Sequence, residues 1–323
     1  MARAAVGEGR PARLVRSSSM RPTTAARLSV VVGLAVLALK GLAYWLTGSI
    51  SLYSDALESV VNVAAAGVAL VAVRVAARPP DENHPYGHTK AEYLAAVLEG
   101  ALIVWAAVEI VRAAWGRFEA PVALEGLGVG LAVSVAATVL NGAWAALLVR
   151  AGRQHRSPAL VADARHLWAD VVTTVGVLAG IGLAAATGWW VLDPLLAIAV
   201  AVNVVVVGVR LLRESVAGLM DEAVPPDEMD AIHEAIRATM GGALEVHALR
   251  ARHAGRHTFV EFHLVVPGTS TVAESHALCD RLEAAVHAAV PESSVTIHVE
   301  PEHKGKGHGG VVALGSDVPH TFT

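Results

Sequence analysis

The hydrophobic positions of this chain form six long apolar stretches, and a shorter region follows in which apolar and polar residues alternate. The six stretches cover residues 28–46, 50–73, 92–112, 124–149, 158–186 and 189–212. Each reaches or nearly reaches the ~20 residues that a helix needs to cross a bilayer. The pattern therefore predicts six transmembrane helices.

Lys and Arg residues are concentrated in alternate connections between these stretches. The connections 74–90 and 150–156 carry several, whereas the connection 47–49 carries none. Because positively charged loops remain in the cytoplasm, we expect both termini to lie in the cytoplasm. The membrane is expected to be a bacterial inner membrane. The Arg- and Ser-rich segment 1–23 lacks the apolar core of a signal peptide and is expected to be a disordered cytoplasmic arm.

After about residue 225 the pattern becomes that of a soluble domain. Helical spacing covers 226–240 and 271–290, and strand-like alternation covers 245–252, 257–266 and 294–300. The αββαβ order predicts a small two-layer α/β domain of the ferredoxin or metallochaperone type. The expected organisation is an arm (1–23), a six-helix transmembrane domain (24–215), a cytoplasmic α/β domain (216–302), for which the family resemblance given below implies metal binding and dimerisation, and a flexible tail (303–323).

The composition supports a membrane protein and narrows the chemistry. The 323 residues are 54% hydrophobic and 17% charged, with a mean hydropathy of +0.51, more apolar than a soluble domain. The net charge of -4 gives no reason to expect a nucleic-acid partner. One cysteine, Cys279, excludes an internal disulfide and a cysteine-based zinc cluster, so 15 histidines favour imidazole and carboxylate ligation.

Two of the apolar stretches carry polar residues at the same spacing. They are Asp55, Glu58 and Asn62 in the second stretch and Asp163, His166 and Asp170 in the fifth. Ionisable groups in a membrane are costly and mark ion pathways. If the two helices are antiparallel, a rise of ~1.5 Å per residue puts Glu58 level with Asp170, and Asn62 level with His166.

The four side chains predicted to lie at matching depths offer one imidazole, two carboxylates and one amide oxygen. This set suits tetrahedral coordination of a divalent first-row metal. The alternative is ordinary hydrogen bonding between membrane helices, which polar residues also provide. Asp55 and Asp163 are expected either to support the ligands or to line the access path.

Histidines elsewhere form two further candidate sites. Asp81, His84 and His88 lie in the loop between the second and third stretches, and their spacing leaves both metal binding and a simple hydrated loop open. The second set occupies the predicted strands, with one member on the second helix. It comprises His247, His263, His298 and Glu300 in the strands and His276 on the helix. His298 and Glu300 share a face by alternation, while ordinary surface histidines are the alternative.

The chain resembles the cation diffusion facilitator transporters from about Thr23 to Glu300. The loop Asn83–Glu92 (Asn-His-Pro-Tyr-Gly-His-Thr-Lys-Ala-Glu) and the pair His166-x-x-x-Asp170 carry the resemblance, together with the six stretches and the αββαβ order. The resemblance implies a homodimeric antiporter that exports a divalent cation from the cytoplasm in exchange for protons by alternating access.

Residue roles follow from the same resemblance. It assigns Glu58, Asn62, His166 and Asp170 to the transport site, Asp81, His84 and His88 to a loop site, and His247, His263, His276, His298 and Glu300 to metal binding across the dimer of cytoplasmic domains. It assigns Lys90 and Asp221 to an ion pair that holds the transmembrane halves of the dimer together. Glu58 and Asn62 depart from the family's usual His or Asp followed by Asp. Zinc is the favoured metal, and iron, manganese, cobalt and cadmium stay open.

Other functions fit the sequence less well. An intramembrane metalloprotease would need a His-Glu-x-x-His helix, whereas His166 is the only histidine in the six apolar stretches. We therefore expect no enzyme and no organic cofactor. A metal-sensing or scaffold membrane protein that binds cations without moving them is the remaining alternative, and the sequence does not exclude it.

Overall fold

Six long helices form the first part of the molecule. The computed structural model describes residues 20–47, 50–119, 127–189, 191–306 and 311–312, and within helices it leaves some side chains undescribed, those of Asp55 and Glu58 among them. The helices are α1 (Pro22–Thr47), α2 (Ile50–Ala76), α3 (Ala91–Glu119), α4 (Leu127–Gln154), α5 (Pro158–Thr187) and α6 (Leu192–Leu219). α1 and α5 begin at proline, which is favoured at the first helical position because that position needs no intrahelical N–H bond.

Most of these helices extend beyond the apolar stretches from which they are predicted. α6 ends at Leu219, past the stretch that stops at 212, because backbone hydrogen bonding continues where the side chains become polar. Over the described residues, five of the six helices are long and apolar enough to cross a membrane. The sixth, α5, carries Asp163, Arg165 and Asp170 in its first half, and many side chains of its second half lie outside the described part.

Small residues let the long helices pack closely. A Cβ added at Gly208 of α6 would lie 2.8 Å from the side chain of Val104, so α3 and α6 approach too closely there for a larger residue. Large apolar side chains such as Leu34 and Val31 instead point outward, 50% and 59% exposed. This outward apolar surface is what a lipid-facing bundle requires.

The second part is a four-stranded sheet covered by two helices. Its elements are α7 (Pro226–Thr239), β1 (Glu245–Ala254), β2 (His257–Val266), α8 (Val272–Ala289), β3 (Ser293–Pro301), a short 3-10 helix (Glu302–Lys304) and β4 (Val311–Val312). The strand order is β3-β2-β1-β4, with β1 antiparallel and β3 parallel to β2. β4 pairs with β1 and lies within the segment 303–323 that the sequence analysis expects to be a flexible tail.

The core of this α/β domain lies between the sheet and the two helices. Ile232 and Ile236 of α7 and Leu282 of α8 pack on Phe262 and Leu264 of β2, and all are almost fully buried. Burial of each such side chain contributes roughly 1.5–3 kcal/mol. This face of the sheet is therefore fixed, and β2 becomes a rigid central strand for the histidines that it carries.

Ion pairs join the two parts at a junction near the beginnings of α3 and α5. Lys90 Nζ lies 2.7 Å from Asp221 Oδ1, and Arg252 of β1 lies 3.0 Å from the same oxygen. Arg156, just before α5, lies 3.0 Å from Glu228 of α7. The hydrogen bond from Lys90, with the charge of Arg252, lowers the pKa of Asp221 below its ordinary value. The junction therefore places β1 and β2 directly beneath the helix bundle.

Candidate metal sites

The first candidate site lies between α2 and α5 inside the helix bundle. His166 Nε2 lies 2.8 Å from Asn62 Oδ1. The two helices therefore meet at two residues that the sequence predicts to lie at the same depth in the membrane. Asn62, His166 and Asp170 are all buried, at 6%, 6% and 7% exposure. With the ring N–H on Nε2 donating to Asn62, the lone pair of His166 is on Nδ1, which is the form that binds a cation.

A cavity of about 360 Å³ adjoins this group of side chains. Its polar lining includes Asn62, His166 and Asp170, together with Glu109 and Thr173, while residues of α3 and α6 provide apolar walls. His166 Nδ1 and Asp170 Oδ1 have no hydrogen-bond partner among the described residues. Two unpaired ligand atoms in a buried cavity are costly unless a cation or protons satisfy them.

Asn141 of α4 is a site residue that the sequence analysis misses. Its Nδ2 donates a hydrogen bond to Asp170 Oδ2 at 2.7 Å, which holds one carboxylate oxygen and leaves the other for a ligand. The signal in the sequence is a single asparagine in the fourth apolar stretch. One polar residue without a spaced partner indicates only a helix–helix hydrogen bond, so the pattern could not assign it to this site.

The remaining predicted residues of the membrane motif divide into two groups. Glu58, predicted as a fourth ligand, and Asp55 have side chains outside the described residues, so both remain predictions. Asp163 is buried, and its Oδ2 accepts a hydrogen bond from Ser29 Oγ at 2.5 Å, while Trp144 Nε1 donates to the same Ser29 oxygen at 3.1 Å. Asp163 therefore contacts α1 rather than the cavity that His166 and Asp170 line.

The loop before α3 brings its three predicted ligands together at the surface. Asp81 lies 3.1 Å from His84 Nδ1 and 3.2 Å from His88 Nε2, through its two separate oxygens. The backbone N–H of His84 also donates to Asp81 at 2.7 Å, and this bond is the main reason that the pKa of Asp81 is lowered. Two imidazoles and one ionised carboxylate within 4.8 Å can hold a cation in a hydrated setting.

The third candidate site is a histidine cluster on the sheet, formed by His247, His263, His298 and Glu300. Strand pairing aligns His247 of β1 with His263 of β2, and His263 with His298 of β3. Their rings lie 5.1 Å and 4.9 Å apart between centroids. Glu300 Oε1 is 3.3 Å from His263 Nδ1 and 3.6 Å from His298 Nε2, and Glu300 Oε2 is 3.3 Å from His247 Nε2.

The donor atoms of this histidine cluster fit a metal ion. His247 Nε2 and His263 Nδ1 each lie 3.3 Å from an oxygen of Glu300. These contacts lack hydrogen-bond geometry, so both nitrogens and Glu300 Oε2 have no hydrogen-bond partner among the described residues. Buried donors that converge without pairing are typical of ligands. Glu245 Oε1, which the sequence analysis does not select, lies 3.1 Å from His247 Nδ1 and can orient that ring.

Three residues predicted by resemblance lie outside these sites. His276 of α8 is largely exposed and lies 3.7 Å from Asp280, one turn along the same helix. It shares with Glu300 only the lining of a surface cavity of about 530 Å³, so its role across a dimer stays a prediction. Lys90 and Asp221 form their ion pair within one chain, and its predicted part in holding the dimer together stays a prediction too.

Comparisons with known proteins cover both parts of the chain. The model of the cation efflux transmembrane domain matches residues 26–220, and that of the cytoplasmic domain of cation efflux proteins matches residues 224–302. The uncharacterized transporter sll1263 of Synechocystis sp. is 45% identical over 85% of this chain and 88% of its own length. The cation-efflux pump FieF of Serratia proteamaculans is 32% identical over 90% of this chain and 94% of its own length.

A solved structure also matches, that of the Zn form of a candidate zinc transporter, CzrB. It is 51% identical, covers 27% of this chain and 98% of its own chain, and has a TM-score of 0.24. The two family matches confirm the predicted fold class, a helical membrane domain followed by a small cytoplasmic α/β domain. The protein is an integral membrane protein, and its α/β domain lies in the cytoplasm.

Proposed function

Because the chain belongs to the cation diffusion facilitator family of divalent metal efflux transporters, we propose that it exports zinc in exchange for protons. The observation that carries this proposal is the pair of unpaired ligand atoms, His166 Nδ1 and Asp170 Oδ1, beside the buried cavity of about 360 Å³. Asn62 contributes an amide oxygen and Glu58 a second carboxylate. One imidazole with oxygen ligands suits zinc, with iron, manganese, cobalt and cadmium as competing substrates.

Exchange with protons follows from the ligand chemistry. An imidazole holds either a metal ion or a proton on its lone pair, and carboxylates bind metal only when ionised. When the cavity is open to the cytoplasm, a zinc ion replaces the protons on His166 and Asp170. When it is open to the other side, protons displace the zinc ion. Rocking of α2 and α5 against the rest of the bundle would alternate the two states.

The proposal places both termini in the cytoplasm of a bacterium, with the bundle in the inner membrane. The Lys- and Arg-rich connections 74–90 and 150–156 support this orientation, since they adjoin the same side of the bundle as the cytoplasmic domain. Two copies would pair through the cytoplasmic domains. Zinc held by the histidine cluster of β1, β2 and β3 would stabilise that domain and favour one conformation of the dimer.

The test is metal flux into proteoliposomes that hold the full-length protein under an imposed pH gradient, with zinc, manganese, iron, cobalt and cadmium in turn. We expect Asp170→Ala to lower zinc flux by about tenfold or more, because a ligand and a negative charge are lost. Asp230→Ala, at an exposed position of α7, is the matched control and should transport normally. Equal flux by Asp170→Ala for every metal would overturn the proposed site.

The same experiment separates the proposal from a metal sensor or scaffold. A protein that only binds cations would take up zinc in an equilibrium binding measurement and yet show no flux across the vesicle membrane under either pH gradient. A parent protein that binds zinc with no flux would therefore contradict transport and favour the sensor.

A further inference from the structure

The C-terminal segment, defined here as residues 303–306 and 311–312, is held against the sheet beside the histidine cluster. The match to the family's cytoplasmic domain ends just before it. Its last part, β4, pairs antiparallel with Glu245 and Val246 of β1, so the backbone groups at this edge of the sheet are satisfied by the chain itself. The pairing brings the segment onto the strand that also carries His247.

Glu245 joins the C-terminal segment to the histidine cluster. The backbone N–H of Lys306 donates a hydrogen bond to Glu245 Oε1 at 3.2 Å. The same oxygen lies 3.1 Å from His247 Nδ1, and the other ring nitrogen, Nε2, lies 3.3 Å from Glu300 Oε2. One carboxylate oxygen therefore lies between the segment and a ring whose opposite nitrogen faces the cluster.

The His247 ring is shielded from water and is not held by aligned hydrogen bonds. The side chains of His247 and Glu245 are only 3% and 11% exposed, and both ring nitrogens lack a hydrogen-bond partner among the described residues. When a neutral imidazole binds a metal ion through Nε2, its proton is on Nδ1, the nitrogen that faces Glu245. A carboxylate at that nitrogen fixes the tautomer and the orientation of a ligating ring.

Gly305 brings the backbone of the segment close to the second oxygen of Glu245. A Cβ added at Gly305 would lie 3.1 Å from Glu245 Oε2, which is closer than an ordinary van der Waals contact. The φ of Gly305 is -55°, which any residue adopts, so space is the reason for a glycine here. The segment therefore limits the position of the Glu245 carboxylate at both oxygens, through Lys306 at one and Gly305 at the other.

We propose that Glu245 is a positioning residue of the histidine cluster and that the C-terminal segment holds it in place, so that zinc binding and docking of the segment favour each other. The inference rests on the proposed role of the cluster as a zinc site. With the segment docked, Glu245 is held toward His247, and the ring needs less reorganisation to bind zinc. Linkage then requires that bound zinc favour the docked segment by the same factor.

The alternative is that the segment only covers the edge of the sheet. Backbone pairing of β4 with β1 would then protect the edge from other strands, and zinc would bind equally well with and without the segment. The two explanations differ in the shared contact at Glu245 Oε1, where Lys306 and His247 meet. The experiments below therefore measure zinc binding and docking of the segment together.

The first test is isothermal titration calorimetry of zinc with the full-length protein and two shortened forms, in which the zinc site that disappears in Glu300→Gln identifies the cluster. A form that ends at Lys304 lacks Lys306 and β4. It should bind zinc at the cluster about tenfold more weakly, because the His247 ring is no longer preorganised. A form that ends at Val312 keeps every described residue of the segment and is the matched control, with the parent's affinity. Equal affinity in the two shortened forms would overturn the inference.

Substitutions at Glu245 test whether the segment acts through this side chain. Glu245→Ala should weaken zinc binding at the cluster about tenfold, and Glu245→Gln should weaken it less, since an amide oxygen still accepts from the ring N–H. Gly305→Ala, which crowds Glu245 with one methyl group, should also have a smaller effect. In the form that ends at Lys304, Glu245→Ala should bring little further loss, because both changes remove the same contact. Losses that add in full would contradict a shared role.

Tryptic cleavage of the full-length protein after Lys304 and Lys306, which are both exposed, measures docking of the segment directly. Saturating zinc should slow this cleavage in the parent by about the factor that the truncation costs in affinity. In Glu245→Ala the protection should disappear although zinc still saturates the cluster. A cleavage rate in the parent that zinc leaves unchanged would overturn the inference.

Neither measurement needs transport, so the inference and the proposed function fail separately. A parent that shows no zinc flux in proteoliposomes would refute zinc export. Zinc binding that the loss of the segment leaves unchanged would refute the role of Glu245 and the segment alone.

Discussion

The membrane site and the histidine cluster of the cytoplasmic domain use similar side chains on very different supports. In the membrane, His166 and Asp170 come from α5 and their partner Asn62 comes from α2. In the cytoplasmic domain, His247, His263 and His298 come from three neighbouring strands whose register is fixed by backbone hydrogen bonds. Helices can slide or tilt against each other, whereas strands in one sheet cannot without breaking the ladder.

The side chains that could bind metal also differ between the two sites. The described membrane ligands are one imidazole, one carboxylate and one amide, while the cluster on the sheet has three imidazoles around the single carboxylate of Glu300. A transport site must release its ion in each cycle, so a weak and movable set is an advantage there. A regulatory site gains from rigid, numerous ligands that keep the ion bound. We therefore propose that the membrane site carries the cargo and that the cluster retains a metal ion.

The largest expected effect is the loss of transport after removal of the only imidazole in the membrane site. His166→Ala should lower zinc flux by about 100-fold, because the proposed mechanism uses this imidazole both as a zinc ligand and as the group that exchanges zinc for a proton. His263→Ala, in the centre of the histidine cluster, should leave flux within about threefold of the parent, since a regulatory site only shifts a conformational balance. Flux in proteoliposomes measures both variants.

The two histidine variants together test whether the membrane site and the histidine cluster have different roles. If His263→Ala stops transport as completely as His166→Ala does, the cluster is on the transport path and does not retain its metal. Circular dichroism of each purified variant would show that the helix bundle is folded, so that a loss of flux reports the missing ligand.

The next effect concerns Glu300, the carboxylate that touches every imidazole of the cluster. Glu300→Gln should weaken zinc binding to the cytoplasmic domain by about 10–100-fold, because the charge that faces three imidazoles is lost. Isothermal titration calorimetry of the full-length protein would show the weaker binding as the loss of one class of zinc site. Zinc flux in proteoliposomes should be retained.

Glu261→Gln is the matched control for Glu300→Gln. Glu261 lies on β2, the strand next to the strand of Glu300, and its one ion pair among the described residues is with Arg250 at the surface, at 3.4 Å. Equal zinc binding by Glu300→Gln and Glu261→Gln would show that the cluster does not bind metal through Glu300.

The sequence reveals most of the fold and only part of each site. His166 and Asp170 could be selected because ionisable residues stand out in an apolar stretch and repeat the spacing of the second stretch. Asn141 could not be selected, because it meets Asp170 only through the packing of α4 on α5, which the sequence does not show.

The cytoplasmic domain shows the same limit in a sheet. Alternation along β3 predicts that His298 and Glu300 share a face, but it does not reveal that β2 is the central strand. The strand order is what brings His263 between His247 and His298. β4 (Val311–Val312) is too short to produce a periodic pattern, and it forms only because β1 offers an edge with free backbone groups.

A smaller effect is expected at Asn62, where the chain departs from the usual family pattern. Asn62→Asp should tighten zinc binding in the membrane site by about tenfold and change the order of preference among zinc, manganese, iron, cobalt and cadmium, since a further charged ligand then faces His166. Competition between metals in the flux measurement would reveal the order. An unchanged preference in Asn62→Asp would refute a role for this position in metal choice.

The smallest effect is expected at the junction that joins the two compared regions, through Asp221. Lys90 and Arg252 lower the pKa of Asp221, so its contribution to stability is complete above pH 3.8 and is lost as the pH falls through the lowered value. Because the side chains of Lys90 and Asp221 are 39% and 46% exposed, solvent screens the pair, and Asp221→Asn should destabilise the protein by only about 0.5 kcal/mol at neutral pH. Thermal unfolding should show this difference at pH 7, and the difference should shrink as the pH falls below 3.8. Zinc affinity at both sites should be unchanged, since Asp221 contacts neither, and a loss of zinc binding at either site would mean that the junction shapes that site directly.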